Sequence, residues 1–334
     1  RFSAMLDNYV TPVPAQMRRG PYWFQGSADA IYQNLNLIYD ESPDIVAVFG
    51  ADHIYRMDPR QMIDEHHESG AGVTVAAIPV PKHEATEFGV IEVADDGRII
   101  AFHEKVANPP TMPGNDQMCL ASMGNYVFDT QTLIDVVTPR ENQYTDLGSH
   151  VIPALTDAGV ARAYDFSKNV IPDQDDREKG YWRDVGTLDS YFHANMDLIA
   201  PVPIFNLYNE RWPVYTSRRA LPPAKVSRGR GGEPSFVDGS LLCQGSIISG
   251  SHVERSIIGP GAYIDHDAHI TDSIIFPDVR IGAGVRLHRC IVDKNVIVPD
   301  WARIGLELDA DRERFTVSDE GVVVIEKGRD LSCG

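Results

Sequence analysis

At 334 residues the chain is too long for one ordinary small domain and fits two. With 43% hydrophobic and 23% charged residues it can bury a sizeable core, which excludes a disordered chain. A formal net charge of −18 repels nucleic acid and anionic lipid, so neither is an expected partner, and a phosphorylated substrate must meet a local cluster of Lys or Arg.

No apolar run approaches the ~20 residues of a membrane span, and no secretory leader pattern is present. Cys119, Cys243, Cys290 and Cys333 lie far apart without a CxxC pair. They fit buried thiols in a reducing cytosol better than a disulfide framework or a zinc site, so the expected location is cytoplasmic.

Residues 1–205 alternate short apolar runs with amphipathic stretches, the pattern of an α/β domain. Ser27 is placed to cap a helix whose Ile31, Leu35 and Ile38 share one face. Asp44 to Phe49 reads as a strand buried on both faces of a parallel sheet, closed by Gly50-Ala51-Asp52. Asp58 then caps a second helix, with Pro59 at its first position and Gly70 as its terminator. Val73 to Val80 is the next strand, completing a crossover unit whose ligand-binding edge carries Asp52. Residues 90–93 and 98–102 flank the turn Asp95-Asp96-Gly97, a hairpin expected to project from the sheet. Thr187 caps the last helix of the domain, through Ile199.

Residues 206–238 read as a polar connector containing Pro and Gly. In residues 239–334 the period changes: Ile258, Ile264 and Ile270 recur every six residues, as do Ile275, Ile281 and Leu287. Six is the length of one flat side of a triangular β-helix coil. The register slips by one between Val253 and Ile258 and again between Ile270 and Ile275. A β-sandwich is the alternative, and the β-helix is preferred.

Few residues declare chemistry by position. Asp52, at a strand edge, suits a metal against a phosphate, or a plain turn. Asp184 precedes a helix N-terminus and could serve an anion or metal site, or pair with Arg183 as a solvated turn. Glu104-Lys105 ends the hairpin strand, where a lysine on a rigid element suits a sugar phosphate. Ser122 and Tyr126 share a strand face and could hydrogen-bond a sugar or decorate a sheet. His66 and His67 lack a partner at metal spacing and read as solvated. Glycines 229, 231 and 232 do not lie between a strand and a helix, so they are a linker and not a phosphate loop.

Seven segments taken together resemble bacterial ADP-glucose pyrophosphorylases, members of the sugar nucleotidyltransferase family. They are Trp23-Phe24-Gln25-Gly26-Ser27-Ala28-Asp29-Ala30, Gly50-Ala51-Asp52-His53-Ile54-Tyr55, Phe88-Gly89-Val90 and Glu104-Lys105. The others are Ala121-Ser122-Met123-Gly124, Tyr181-Trp182-Arg183-Asp184-Val185-Gly186-Thr187 and Leu221-Pro222-Pro223-Ala224-Lys225. The resemblance implies a Rossmann-like α/β domain with a mainly parallel sheet, followed by a left-handed parallel β-helix. It implies an enzyme joining glucose 1-phosphate to the adenylyl group of ATP, with release of pyrophosphate, in glycogen or α-glucan synthesis. By the same resemblance Asp52 and Asp184 hold Mg²⁺, and Lys105 binds the sugar phosphate. Gly89, Glu104, Ser122, Tyr126 and Trp182 line the sugar pocket, and Trp23, Phe24 and Gly26 lie near the nucleotide. A homotetramer regulated by a sugar-phosphate effector is also implied, with Arg286 and Arg289 as candidate effector contacts.

Two departures stand out. Phe24 takes a place where the family often has Tyr. The family's Gly-Gly-x-Gly-x-Arg loop is absent from the sequence, and its place would be before Arg1. A further βα unit of ~30 residues is therefore expected upstream, and a protein beginning at Arg1 is expected to be inactive. A regulatory subunit without turnover is a competing reading, disfavoured by the presence of both Asp52 and Asp184. A uridylyl- or thymidylyltransferase is another.

Overall fold

The computed structural model describes residues 10–18, 20–138, 144–216, 219–329 and 331, so Cys333 lies outside the described residues. The chain divides into two compact units, Arg1–Ala51 with Met57–Val170, and Asp52–Arg56 with Ile171–Gly334.

The first unit opens with two short helices, α1 (Ser27–Gln33) and α2 (Leu35–Glu41), and the strand β1 (Ile45–Val48). After β2 (His53–Tyr55), which belongs to the second unit, come α3 (Pro59–Ser69), β3 (Val73–Pro81), β4 (Gly89–Val93) and β5 (Ile99–Glu104). The long β6 (Met118–Asp129), α4 (Thr130–Val137), α5 (Ile152–Asp157) and β7 (Ala161–Asp165) complete it.

One six-stranded sheet runs β5-β4-β6-β3-β7, with β1 also on β6. β1, β3, β4 and β7 share a direction, as a mainly parallel sheet requires. The expected neighbours β1 and β3 are nevertheless separated by β6, which runs against both: Tyr126 lies between Val48 and Val75. Hydrogen-bonded neighbours are therefore antiparallel except β3 and β7. The β4–β5 hairpin does not project; Val90 pairs with Ala121, and its tip bends back so that Ala163 N–H donates to Gly97 O at 3.0 Å. Apolar residues of β3 and β6, including Val75 and Phe128, are buried against Leu133 of α4 and Ile152 of α5.

Two helix starts show what local signals fix. Asp58 Oδ1 accepts the Arg60 N–H at 3.1 Å, Pro59 follows, and Gly70 ends α3 at φ +62°. Ser27, by contrast, is the first residue of α1 and not its cap. The carbonyl of Thr145 instead accepts the N–H groups of Ala28 and Asp29 at 3.0 and 3.1 Å. A Cβ at Gly26 would lie 2.3 Å from that oxygen, which is why glycine precedes the helix. His66 is also not solvated. It lies one turn after Met62 on the inner face of α3, 4% exposed, with Nδ1 2.8 Å from Thr74 Oγ1. Burial pushes its pKa down.

In the second unit β8 (Trp182–Asp184) pairs with β2, and α6 (Leu188–Asp197) follows, capped as expected by Thr187 in a reciprocal box with Ser190. The rest is a parallel β-helix of three sheets. Residues 206–238 are more than a connector, because Lys225–Ser227 and Phe236–Asp238 join two of those sheets.

The slipped register has a geometric cause. Val253, Ile270, Leu287 and Ile304 stack in one column, so each of these coils takes 17 residues. The sides are thus five, six and six long, and the five-residue side falls where the periodicity slips. Corners are turned in the left-handed region, at Arg255, Asp272 and Arg289 on one edge and Asp267, Gly284 and Trp301 on another. The aliphatic columns are fully buried, as are Cys290 and, in the first unit, Cys119; Cys243 is half-buried.

α6 packs on the β-helix through Phe192, which is buried with Ile274, Ile291 and Val322. Around it Asp189 accepts from Ser318 Oγ and the Glu320 N–H, and His193 meets Glu320 at 2.6 Å.

Close backbone contact inside the coils predicts a contrast between two glycines of equal φ. A Cβ at Gly305 (φ +79°) would lie 1.8 Å from the carbonyl oxygen of His288, whereas Gly328 (φ +81°) has nothing within 4 Å. Gly328→Ala should cost only the backbone strain of about 1–2 kcal/mol. Gly305→Ala should cost more by at least about 2 kcal/mol, since the ladder itself must move. Urea midpoints of the two variants check this, and equal midpoints would show that the coil yields freely.

Candidate active site

Chemistry-bearing residues gather in each unit separately. In the second, His53 lies opposite Asp184 and Tyr55 opposite Trp182 across the β2–β8 ribbon, and the Val185 N–H donates to Asp52 O at 3.0 Å. This pairing brings ligand atoms of Asp52, His53 and Asp184 within 4.8 Å of one another. The side chain of Asp52 is 65% exposed and that of His53 only 14%. His53 Nε2 is 3.6 Å from Asp52 Oδ1, and the imidazole stands edge-on to Trp182, centroids 5.1 Å apart. Asp184 Oδ1 accepts the Gly186 N–H at 2.7 Å, leaving its second oxygen available. Arg183 turns to Asp197 of α6 at 3.1 Å instead of pairing with Asp184. Two hard carboxylates, one of them open to solvent, form a donor set that suits Mg²⁺, which takes one or two carboxylates and completes its shell with substrate oxygens and water.

In the first unit the residues collect around Glu104. A Cβ on Gly89 would lie 2.9 Å from Glu104 Oε2, and one on Gly148 3.1 Å from it, so two glycines form the slot that holds this carboxylate. Lys105 follows at φ +48°, an uncommon conformation for a lysine, fixed by its N–H donating to Phe88 O at 3.2 Å. Ser122 and Tyr126 are both buried on β6, and Ser122 Oγ accepts the Gly124 N–H at 3.3 Å. Asp146 closes the group, accepting from Ser27 Oγ at 2.8 Å and from the Ser149 N–H at 2.9 Å.

Electrostatics set these groups apart. Burial pushes Glu104 above the ordinary carboxyl range, and Asp146 adds to the rise while Lys105 opposes it. Burial also carries the Tyr126 phenol up to about 12. For Asp146 burial works upward too, yet the N–H of Ser149 and the hydroxyl of Ser27 outweigh it and hold the carboxyl low. One acid ionises reluctantly and its neighbour readily, which is how a site assigns different duties to two carboxyls.

Trp23 is exposed and Phe24 half-buried, next to the turn at Gly26. Gln25 N–H donates to buried Asp29 at 3.0 Å, so the Trp23–Ala30 motif is locked internally. The effector candidates differ from each other. Arg286 stands beside His269 and Arg303 in an outward column of the β-helix. Arg289 lies over the Phe192 ring, 5.0 Å to its centroid, and donates to Glu320 O at 3.3 Å, so it is already engaged in seating α6.

Residues 4–200 match the nucleotidyl transferase family, and residues 222–325 match the GlmU-like C-terminal hexapeptide family, whose repeats form left-handed β-helices. The chain is 51% identical, over 98% of its length, to the glucose-1-phosphate adenylyltransferase of Frankia casuarinae, and it covers 81% of that protein. It belongs to the nucleotidyl transferase family. Within that family it is also 49% identical to the glucose-1-phosphate adenylyltransferases of Corynebacterium jeikeium and Anaeromyxobacter sp., over 98% of its length in both cases and 80% and 81% of theirs.

The structure thus places Asp52 with Asp184, and Gly89 beside Glu104 and Lys105. It adds His53, Asp146 and Gly148, which the sequence reading passed over. Asp146 had a local signal, since Asp-x-x-Ser is a helix-start pattern and Ser149 does answer it. His53 had none beyond adjacency to Asp52.

The raised pKa of Glu104 gives a stability signature. Its folded value exceeds the unfolded one, so its contribution to stability is complete below the unfolded carboxyl range and is lost as pH rises through the folded value. Glu104→Gln should therefore melt higher than the parent at pH 8, and the difference should shrink as the pH is lowered toward 5. A variant that melts lower at every pH would show that the carboxylate is satisfied where it lies.

Proposed function

We propose that the protein is a glucose-1-phosphate adenylyltransferase, converting ATP and glucose 1-phosphate to ADP-glucose and pyrophosphate. The observation that carries this reading is the roughly half-identity to enzymes of that name along nearly the whole chain, with Asp52 and Asp184 brought together beside His53. In the reaction an oxygen of the sugar phosphate attacks the α-phosphorus of ATP, the new O–P bond replaces the bond to the β-phosphate, and pyrophosphate leaves. Such a transfer asks the protein for in-line positioning and charge neutralisation more than covalent help.

Asp52 and Asp184 are the residues that would hold Mg²⁺, and the Asp52 side chain is open to solvent. The chemistry such an ion supplies when bound is neutralisation and orientation of phosphate oxygens. Lys105, pinned at the end of β5, offers the point charge for the phosphate of glucose 1-phosphate. Glu104, Ser122, Tyr126 and Gly89 supply the polar lining and the space for the sugar hydroxyls, and Trp182 keeps the substrate-binding assignment that the family resemblance gives it. Trp23, Phe24 and Gly26 are assigned to the nucleotide side. A role in glycogen or α-glucan synthesis, a cytoplasmic location, a homotetrameric assembly and control by a sugar phosphate complete the reading, with Arg286 and Arg289 as the effector candidates. Among the described residues no helix is long and apolar enough to cross a membrane.

Pyrophosphate release by the full-length protein from ATP, UTP and dTTP in turn, with glucose 1-phosphate, tests the reading; preference for UTP or dTTP would overturn it. Asp52→Asn should lower kcat strongly while leaving KM for glucose 1-phosphate nearly unchanged, because metal charge matters most as charge shifts in the transition state. Near-normal kcat at saturating Mg²⁺ would remove Asp52 from the metal site. Lys105→Gln should do the opposite, raising KM for glucose 1-phosphate by roughly ten- to hundred-fold, the worth of a charge-assisted contact of ~1.5–3 kcal/mol. A rise confined to the KM for ATP would reassign the lysine.

A further inference from the structure

The β2–β8 ribbon is two strands of three residues each, pairs with no other strand among the described residues, and is too small to hold its own shape. One end bears Asp52 and Asp184. At the other end lies a buried ion pair that the proposed reaction does not use. Arg56, next after β2, donates from Nη1 to Glu178 Oε1 at 2.8 Å, their side chains 4% and 1% exposed. Its Nη2 donates to Asn206 O at 2.7 Å, and the guanidinium lies 4.7 Å from the centroid of the Phe205 ring. Phe205 in turn packs on Tyr181, the residue before β8, with centroids 5.6 Å apart. Both strands are thereby tied, at the same end, to the segment around residue 206.

Stability alone does not account for this arrangement. A buried ion pair seldom outdoes an apolar pair of the same volume, because desolvation consumes most of the attraction. Here Arg56 Nε and Glu178 Oε2 find no hydrogen-bond partner among the described residues, which deepens the deficit. What the fork of Arg56 supplies, and an apolar pair does not, is direction: one planar group fixes both a side chain and a main-chain carbonyl. We propose that Arg56 and Glu178 are positioning residues that set the register of the β2–β8 ribbon and hence the separation of the Asp52 and Asp184 carboxylates. The inference rests on the metal role given to that pair above.

The test compares the parent with Arg56→Lys and with the double variant Arg56→Met/Glu178→Leu, in the full chain. Three readouts are taken: Tm, Mn²⁺ binding followed by electron paramagnetic resonance without nucleotide, and kcat with KM for glucose 1-phosphate. The double variant should keep the parental Tm yet bind Mn²⁺ about ten- to hundred-fold more weakly, the usual loss when support behind a metal ligand is removed. Its kcat should fall with KM for glucose 1-phosphate unchanged. Arg56→Lys keeps the charge without the fork and should show a smaller weakening of the same kind. Parental Mn²⁺ affinity in the double variant overturns the proposal; if that variant does not fold, parental affinity in Arg56→Lys does so. A full-length parent that binds Mn²⁺ but releases no pyrophosphate would sink the adenylyltransferase reading and leave the positioning role to be judged on Mn²⁺ alone.

Discussion

Two carboxylates whose ligand atoms lie within 4.8 Å of each other, on a chain whose formal charge is already −18, must be held by their surroundings, because the three-residue strands beside them are too short to do so. The surrounding second unit meets that demand from several directions. The Gly186 N–H takes one oxygen of Asp184, and Val185 fastens the Asp52 carbonyl. Arg183 is drawn off to Asp197, so the helix that follows is bound to the strand that precedes it. That helix is seated on the β-helix by Phe192 and by Asp189 and His193. The β-helix of the second unit thus stands behind the carboxylate pair.

The first unit solves a related problem by other means. Glu104 is lodged where ionisation is disfavoured, and glycines at 89 and 148 make room for it where any side chain would intrude. Asp146 is kept ionised close by through donated N–H and O–H groups. Neighbouring carboxyls of unlike ionisation can coexist where two full charges could not.

Features governed by near neighbours were legible in the sequence. Asp58 and Thr187 cap their helices because the residues that answer them follow within a turn. The six-residue period, with its slip, described the β-helix down to which side of the coil is short. Features that depend on remote chain were not legible. Ser27 looks like a cap, yet its hydroxyl is claimed by Asp146, more than a hundred positions away. The insertion of β6 between β1 and β3 leaves no local trace, since a strand reads the same whatever lies beside it. His66 could have been recognised from its spacing to Met62, and the absence of a metal partner was the wrong question to ask of it. Among the site residues, the family motifs pointed to Asp52, Asp184 and Glu104, but neither composition nor spacing could tell which of their neighbours would face them.

The five-six-six coil has a consequence for how the domain can change over time. Its later coils are interchangeable modules of 17 residues, and loss or gain of one whole module shortens or lengthens each sheet by a single strand, about 4.8 Å, while every aliphatic residue keeps facing inward. A change in length along a flat side shifts the two-residue alternation there and turns its aliphatic residue out into water, so other lengths enter at corners, as in the 22 residues from Val226 to its column partner Ile248. The domain's height is therefore quantised, and drift in sequence length is confined to its corners and its ends.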